Sequence, residues 1–530
     1  MKNLISPILY CFVFLSITAC AQTVDSIYPD GFNELFPIYE KALGDFTHPI
    51  SSKDERVQTY FDQGFQMMYA FTTEDAARSF REAWKLDPKC AICYWGEAWA
   101  WGSYLNGQME AEDSPRAYAA IQKAIELADA GFASEKEKEF IKTMAVRYAV
   151  DYVEEEQKMR DSLYAVAAGQ LYEKYPNDLD AGILYGEVLF LLEPRLGYRD
   201  ITDEDVIKIH EVLESVLAKD IKHPGACHLY IHATESTTQP EKAEACAEFI
   251  GTSIPGASHI NHMPSHTWNE MGRWGDAVAT NIMAWHSDQK EAVGEGFAIY
   301  PSHNLHMLVF AGAMDGQGGV SNQAARDLTK LTDNNMYEFQ TLIRFGRFDE
   351  VFRIQERSSY DVAAGMFDFA WAYALAKEGE VDSATFYLNR LSDLADSTES
   401  KFRFHSGAVL LGTVLGILQG ELSWLEGDTT SAIEAFEKAV ELEDSLDYDE
   451  PEPLIFAARH WLGALYLDIK DYKKAEKVYR TELEDRPNNG WSYYGLLQAL
   501  EGQGIEDADL KAKFDASWAR SDTWIRGSRF

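Results

Sequence analysis

A fixed spacing of small and large residues recurs along this chain, and it limits the possible folds more than any other feature. In "LGALYLDIKDYKKAEKVYRTELEDRP" it runs Leu462, Gly463, Tyr466, Ala475, Tyr479 and Pro487. One unit earlier it returns as Gly420, Ala432, Phe436 and Ala439, and near the N-terminus as Gly64, Ala76, Phe80, Ala83 and Pro88. Gly272, Ala277 and Ala284 repeat part of it, as do Gly379 and Ala384. The spacing describes a pair of antiparallel helices. Small side chains let two helices approach closely, an aromatic ring fills the gap between neighbours, and proline stops the second helix. Such a pair cannot bury its apolar face alone, so pairs must stack. The chain has 530 residues, more than one compact core usually holds, and an array that grows by stacking accommodates that length. No alternating strand pattern competes. The expected fold class is all-α, a right-handed superhelical solenoid of helix–turn–helix units.

These positions resemble those of the tetratricopeptide repeat (TPR). The resemblance covers most of residues 51–505, with degenerate units between 105 and 225. It implies a concave groove, lined by the first helix of each pair, that binds a peptide or protein partner. The fold alone assigns no function. Three segments, "HPGACHLYIHATE", "PGASHINHMPSHTWNEMGRW" and "YPSHNLHMLVFAGAM", are similar to a bacterial subfamily of exported TPR proteins. The similarity extends to "LDPKCAICYWGEAWAWG", "LDYDEPEP" and "NNGWSYYGLLQAL" and supplies no reaction. It implies an Asn-His pair where this chain carries Thr72 and Thr73; if that histidine belongs to the site, one ligand is absent here.

The N-terminus reads as an export signal. Lys2 precedes the apolar run "LISPILYCFVFLSITA", and Ala19 stands directly before Cys20. That arrangement is a lipobox: cleavage before Cys20 leaves the cysteine to carry lipid. The run falls short of the ~20 apolar residues needed to cross a bilayer, and no other stretch is expected to span one. The expected location is the cell envelope, periplasmic or outer-membrane, with the Cys20 lipid as the membrane contact. The formal net charge of −38 argues against a nucleic-acid partner and suits metal ions or cationic partners.

Cys11 leaves with the signal. Of the remaining cysteines, Cys90 and Cys93 have redox-motif spacing in "CAIC", but at a helix junction rather than after a strand, so a structural role is expected. Cys227 and Cys246 are placed on adjacent antiparallel helices, where an oxidising compartment permits a disulfide.

Histidines carry the chemistry. Nine of 13 lie within 223–306, where even spreading puts about 2. His228, His232 and Glu235 stand at i, i+4 and i+7 of a helix expected to begin near Pro224. His259, His262 and His266 share a face of the next first helix, with Pro264 inside it. His303 and His306 come early in the one after. Neighbouring first helices lie side by side in a solenoid, so three imidazole stripes can converge. Imidazole nitrogen suits zinc, copper, iron and nickel, and Glu235 adds a hard oxygen. The expected site is therefore a transition-metal centre held by His228, His232, Glu235, His259, His262, His266, His303 and His306. Catalysis on a metal, binding of a protein in the groove, and metal storage or delivery all remain open from sequence.

His223 and His286 are expected to be structural, and His48, His210, His405 and His460 are scattered. Asp447, Asp449, Glu450 and Glu452 in "SLDYDEPEP" read as a solvated loop. The chain divides into a signal peptide (1–19), a lipid-anchored linker (20–50), degenerate units (51–220), histidine-rich units (221–336) and C-terminal units (337–530).

Overall fold

The computed structural model describes residues 27–29, 31–194 and 197–530. The signal peptide and Cys20 lie outside the described residues. What is described is helical throughout, apart from one hairpin that pairs Lys401–Phe402 with His405–Ser406. Helices follow one another as antiparallel pairs, as with Glu55–Tyr69 and Thr73–Leu86, or Ala458–Asp468 and Tyr472–Asp485. A continuous apolar core runs along the array.

The packing chemistry expected from the spacing is present. A Cβ on Gly463 would come within 2.5 Å of the Tyr479 ring, and one on Gly495, in the following helix, within 2.2 Å. Phe80 is gripped in the same way, 2.7 Å from a Cβ on Gly64 and 2.4 Å from one on Gly96. One large ring therefore wedges between glycines of the helix before it and the helix after it. Gly272 and Gly379 differ. Their φ angles are +67° and +83°, and they form the turns before Trp274–Lys290 and Val381–Ser397. The left-handed backbone requires glycine at both turns, and at Gly272 a Cβ would also come within 2.1 Å of the Pro487 carbonyl oxygen.

The expected linker is structured from residue 31 onward. Phe32 and Phe36 are buried, and the segment then crosses the loop that leads into the second histidine helix. The Gly256 N–H donates to the Ala42 carbonyl at 2.9 Å, and the backbone of Gly44 lies against the Ser253 carbonyl. The C-terminal tail closes the opposite side through the Asp522 carboxylate on the Gly318 and Gly319 amides and the Arg520–Asp315 ion pair.

Cys90 and Cys93 form a disulfide at the start of Ala91–Ala100. Trp95, Trp99 and Trp101 are core residues. Cys227 and Cys246 meet on adjacent helices but remain free, buried thiols. One helix, Gly407–Leu425, is long and apolar enough to cross a membrane, with a mean hydropathy of 1.5. The sequence reading passed over it. It packs along Thr429–Glu443 and buries Leu410, Leu411, Val414 and Ile417 in the array.

Candidate metal centre

Three helices carry the histidines. Pro224–Thr234 begins at a His223 cap, whose ring accepts from the Ala226 amide, with proline in the first turn. The second stripe lies on a helix that breaks at Pro264 into Ser258–His262 and Pro264–Glu270. Proline cannot donate to the ladder, and the break lets His262 and His266 both turn inward. The third helix, Pro301–Met314, starts from Tyr300 in the left-handed region at φ +55°.

Seven of the eight expected residues converge. His228, His232 and His259 offer nitrogens within 4.8 Å of one another, and His262, His266 and His303 form a second such triad. The triads adjoin, with the His259 and His262 ring centres 5.1 Å apart. Glu235 joins a third group with His232, His266 and Glu450. These histidines lie in the interior rather than along an open groove: His228, His232, His259, His262 and His266 are each at most 3% exposed.

The outer nitrogens are fixed. His228 Nδ1 lies 2.6 Å from the Tyr69 carbonyl, which accepts its N–H. Glu235 stands between two rings, accepting from His232 Nδ1 at 2.7 Å with one oxygen and making an ion-pair contact with His266 Nδ1 through the other. A carboxylate or carbonyl that takes the Nδ1 proton leaves Nε2 with a lone pair, the form a metal requires. The inner nitrogens then face one another. His228 Nε2 lies 3.0 Å from His259 Nε2, and His266 Nε2 lies 3.1 Å from His262 Nε2. Two nitrogens on one tetrahedral ion at the usual ~2.0–2.1 Å stand ~3.3 Å apart, so both pairs are close to a ligating separation. The buried Nδ1 of His259 has no hydrogen-bond partner.

Electrostatics keep the rings neutral. Burial, followed by repulsion from neighbouring imidazoles, holds His259, His262 and His303 well below the ordinary histidine range. The donor set and its neutrality fit a borderline transition-metal ion. They do not fit magnesium or calcium, which take oxygen.

His306 does not join the set. One turn beyond His303, it faces the Tyr337 ring at 4.4 Å and donates to the Glu452 carbonyl. The 3.6-residue period rotates an i+3 side chain partly away, and these partners hold it there.

The sequence reading missed two residues. Glu450 was assigned to a solvated loop, yet it lies 3.8 Å from His266 Nδ1. The loop is anchored by Asp449, which is 5% exposed and bonded to His405 Nε2 and Arg403; Tyr448 is also buried, and Asp447 stays exposed. Phe71, in a left-handed turn at φ +62°, covers the first triad with its ring centre 4.2 Å from His228 and 5.5 Å from His259. It directly precedes Thr72 and Thr73, where the resemblance implied an Asn-His pair. Two cavities reach the site. One of 340 Å³ opens on His266, Glu270 and Glu450, and one of 440 Å³ opens on His303 and Tyr300. In the first, burial and then the charges of Glu452, Glu235 and Glu450 raise the Glu270 carboxyl well above its usual range.

The sequence model of the tetratricopeptide repeat matches residues 417–445, covering the C-terminal half of Gly407–Leu425 and all of Thr429–Glu443. The chain carries a tetratricopeptide repeat in its helical array. That class is a scaffold for protein and peptide partners. No curated protein is a detectable sequence relative of this TPR chain. Similar solved structures include yeast Tom70, at 13% identity, TM-score 0.32, over 89% of this chain and 98% of that one. The TPR domain of P58(IPK) matches at 12% identity and TM-score 0.23, over 84% of this chain and 98% of that one. The human IFIT1 dimer with m7Gppp-AAAA matches at 11% identity and TM-score 0.31, over 89% and 91%. At these scores the overlaps carry no functional inference.

Proposed function

We propose that this TPR protein is a metalloprotein with two transition-metal ions in its interior, one per histidine triad. His228, His232 and His259 hold the first, and His262, His266 and His303 the second. Glu235 orients both sets, and Glu450 adds a carboxylate between them. The observation that carries this reading is the pair of Nε2···Nε2 approaches at 3.0 and 3.1 Å, with the far nitrogens of His228 and His266 committed to a carbonyl and a carboxylate. Without an ion, each approach needs one imidazole to donate to the other. Burial and mutual repulsion keep these rings neutral, the form that can ligate an ion.

Zinc, copper or iron suits the donors. When bound, such an ion supplies Lewis acidity or electron transfer. Around it, Glu235 holds the tautomers of His232 and His266, Phe71 excludes water from one side, and the two cavities give access from the other. Export and lipid attachment at Cys20 belong to the same proposal, supported by Lys2, the apolar run and Ala19 ahead of the cysteine.

Elemental analysis of the protein from residue 21 onward tests the metal reading. About two ions per chain are expected, and the His262→Ala/His266→Ala double variant should lose the ion of the second triad. A parent protein without bound metal from metal-replete cells, and with no rise in Tm on adding zinc, copper or iron, overturns it. Fatty-acid labelling that disappears in Cys20→Ala tests the anchor, and labelling that persists refutes it.

A further inference from the structure

We infer that the 440 Å³ cavity beside His303 binds a small phenol: a flat ring bearing one hydroxyl. Its volume is in the usual range for a small-molecule site. Tyr300, Leu328, Tyr337 and Phe402 give it apolar walls. The Tyr337 and Phe402 rings stand 6.1 Å apart at 68°, and His306 meets Phe402 edge-on at 81°. Crossed rings of this kind take a further flat ring on a face or an edge.

Two residues that line this cavity each carry a buried polar atom without a partner. Tyr337, 4% exposed, has an unbonded hydroxyl. His306, 6% exposed, has an unbonded Nε2. The Glu452 backbone favours the ring proton on the nitrogen away from Nε2, so Nε2 carries the lone pair and accepts. A buried polar group left unmet is costly, and its usual explanation is a ligand or an ordered water. One ligand hydroxyl meets both needs, donating to His306 Nε2 and accepting from the Tyr337 hydroxyl. The apolar walls favour a ring behind that hydroxyl over water alone. A carboxylate is disfavoured, because the nearby Arg403 guanidinium is already bonded to Asp449 and to the Glu450 carbonyl. The inference stands on the cavity and does not require a metal at the triads.

Calorimetric titration of the full chain with p-cresol tests it, beside 4-methylanisole and toluene, which match its shape but cannot donate. p-Cresol is expected to saturate one site and to bind about tenfold tighter than either control, the value of one well-made buried hydrogen-bond set. Tyr337→Phe is expected to weaken p-cresol about as much, while Tm stays level or rises, because the variant removes an unbonded buried hydroxyl. That combination separates ligand recognition from a structural role. The inference is overturned by the absence of saturable p-cresol binding, by equal binding of p-cresol and 4-methylanisole, or by unchanged p-cresol affinity in a folded Tyr337→Phe variant.

Discussion

Replacing Glu235 with glutamine changes one atom and should disconnect the metal from the fold. In the parent, one carboxylate oxygen accepts from His232 Nδ1 and the other makes an ion-pair contact with His266 Nδ1. An amide keeps one acceptor and presents N–H to the other ring. That ring must reverse its tautomer, accepting at Nδ1 and carrying its proton on Nε2, where an ion would bind. The shape is kept, so the metal-free protein should melt close to the parent. Partners of metal-bound histidines are typically worth about 10- to 100-fold in metal affinity. Consider an ion at a hundred times the parent Kd. It stabilises the parent by about 2.7 kcal/mol, but a hundredfold weaker variant by only about 0.4 kcal/mol. Unfolding entropy of ~2.1 cal/mol/K per residue, over 530 residues melting as one unit, converts the difference to about 2 °C. The assay is differential scanning calorimetry with and without metal, paired with a chelator-competition titration. A variant that binds metal as tightly as the parent, with the same metal-dependent rise in Tm, refutes the orienting role of Glu235.

His303→Asn should lose metal whereas His306→Asn should keep it, because only the first ring belongs to a triad; elemental analysis distinguishes the two. Gly495→Ala should lower thermal stability by about 2 kcal/mol. Crowding a Cβ 2.2 Å from the Tyr479 ring costs about 3 kcal/mol, and removing a helical glycine returns about 1; a Tm equal to or above the parent refutes the wedge. Burial pushes the Glu187 carboxyl up to about 7, against the opposing pull of Arg147 and a Trp99 hydrogen bond. A raised carboxyl destabilises the fold progressively from the unfolded value near 4.5 up to pH 7 and constantly above it. Glu187→Gln should therefore raise stability by up to about 3 kcal/mol at pH 8 and by little at pH 4; an equal gain at both pH values refutes the assignment.

Much of the centre was legible because helical spacing is a local property. His228, His232 and Glu235 share a face wherever a helix forms, and the same holds for His262 and His266 once Pro264 restarts the helix. His306 was misassigned because i+3 spacing leaves a side chain free to turn to either flank, and the Tyr337 and Phe402 rings that captured it lie far along the chain. Glu450 was hidden for a related reason. An acidic loop reads as solvated until Asp449 is seen tied to His405 and Arg403, which draws its neighbour inward. Phe71 gave no signal, since one aromatic in a turn is ordinary until its left-handed φ aims it at three imidazoles.

The sequence by itself determined the helical pairs, their glycine-and-ring packing and the three stripes of histidine, because each depends on contacts within one turn or between successive helices. Only the tertiary structure decided that the stripes meet in the interior, that His228 faces His259 across helices 31 residues apart in sequence, and that a loop near residue 450 supplies a carboxylate to histidines near 266. Those outcomes depend on how each helix pair is rotated against the next along the solenoid. Small rotations accumulate over many units, and no local spacing records their sum.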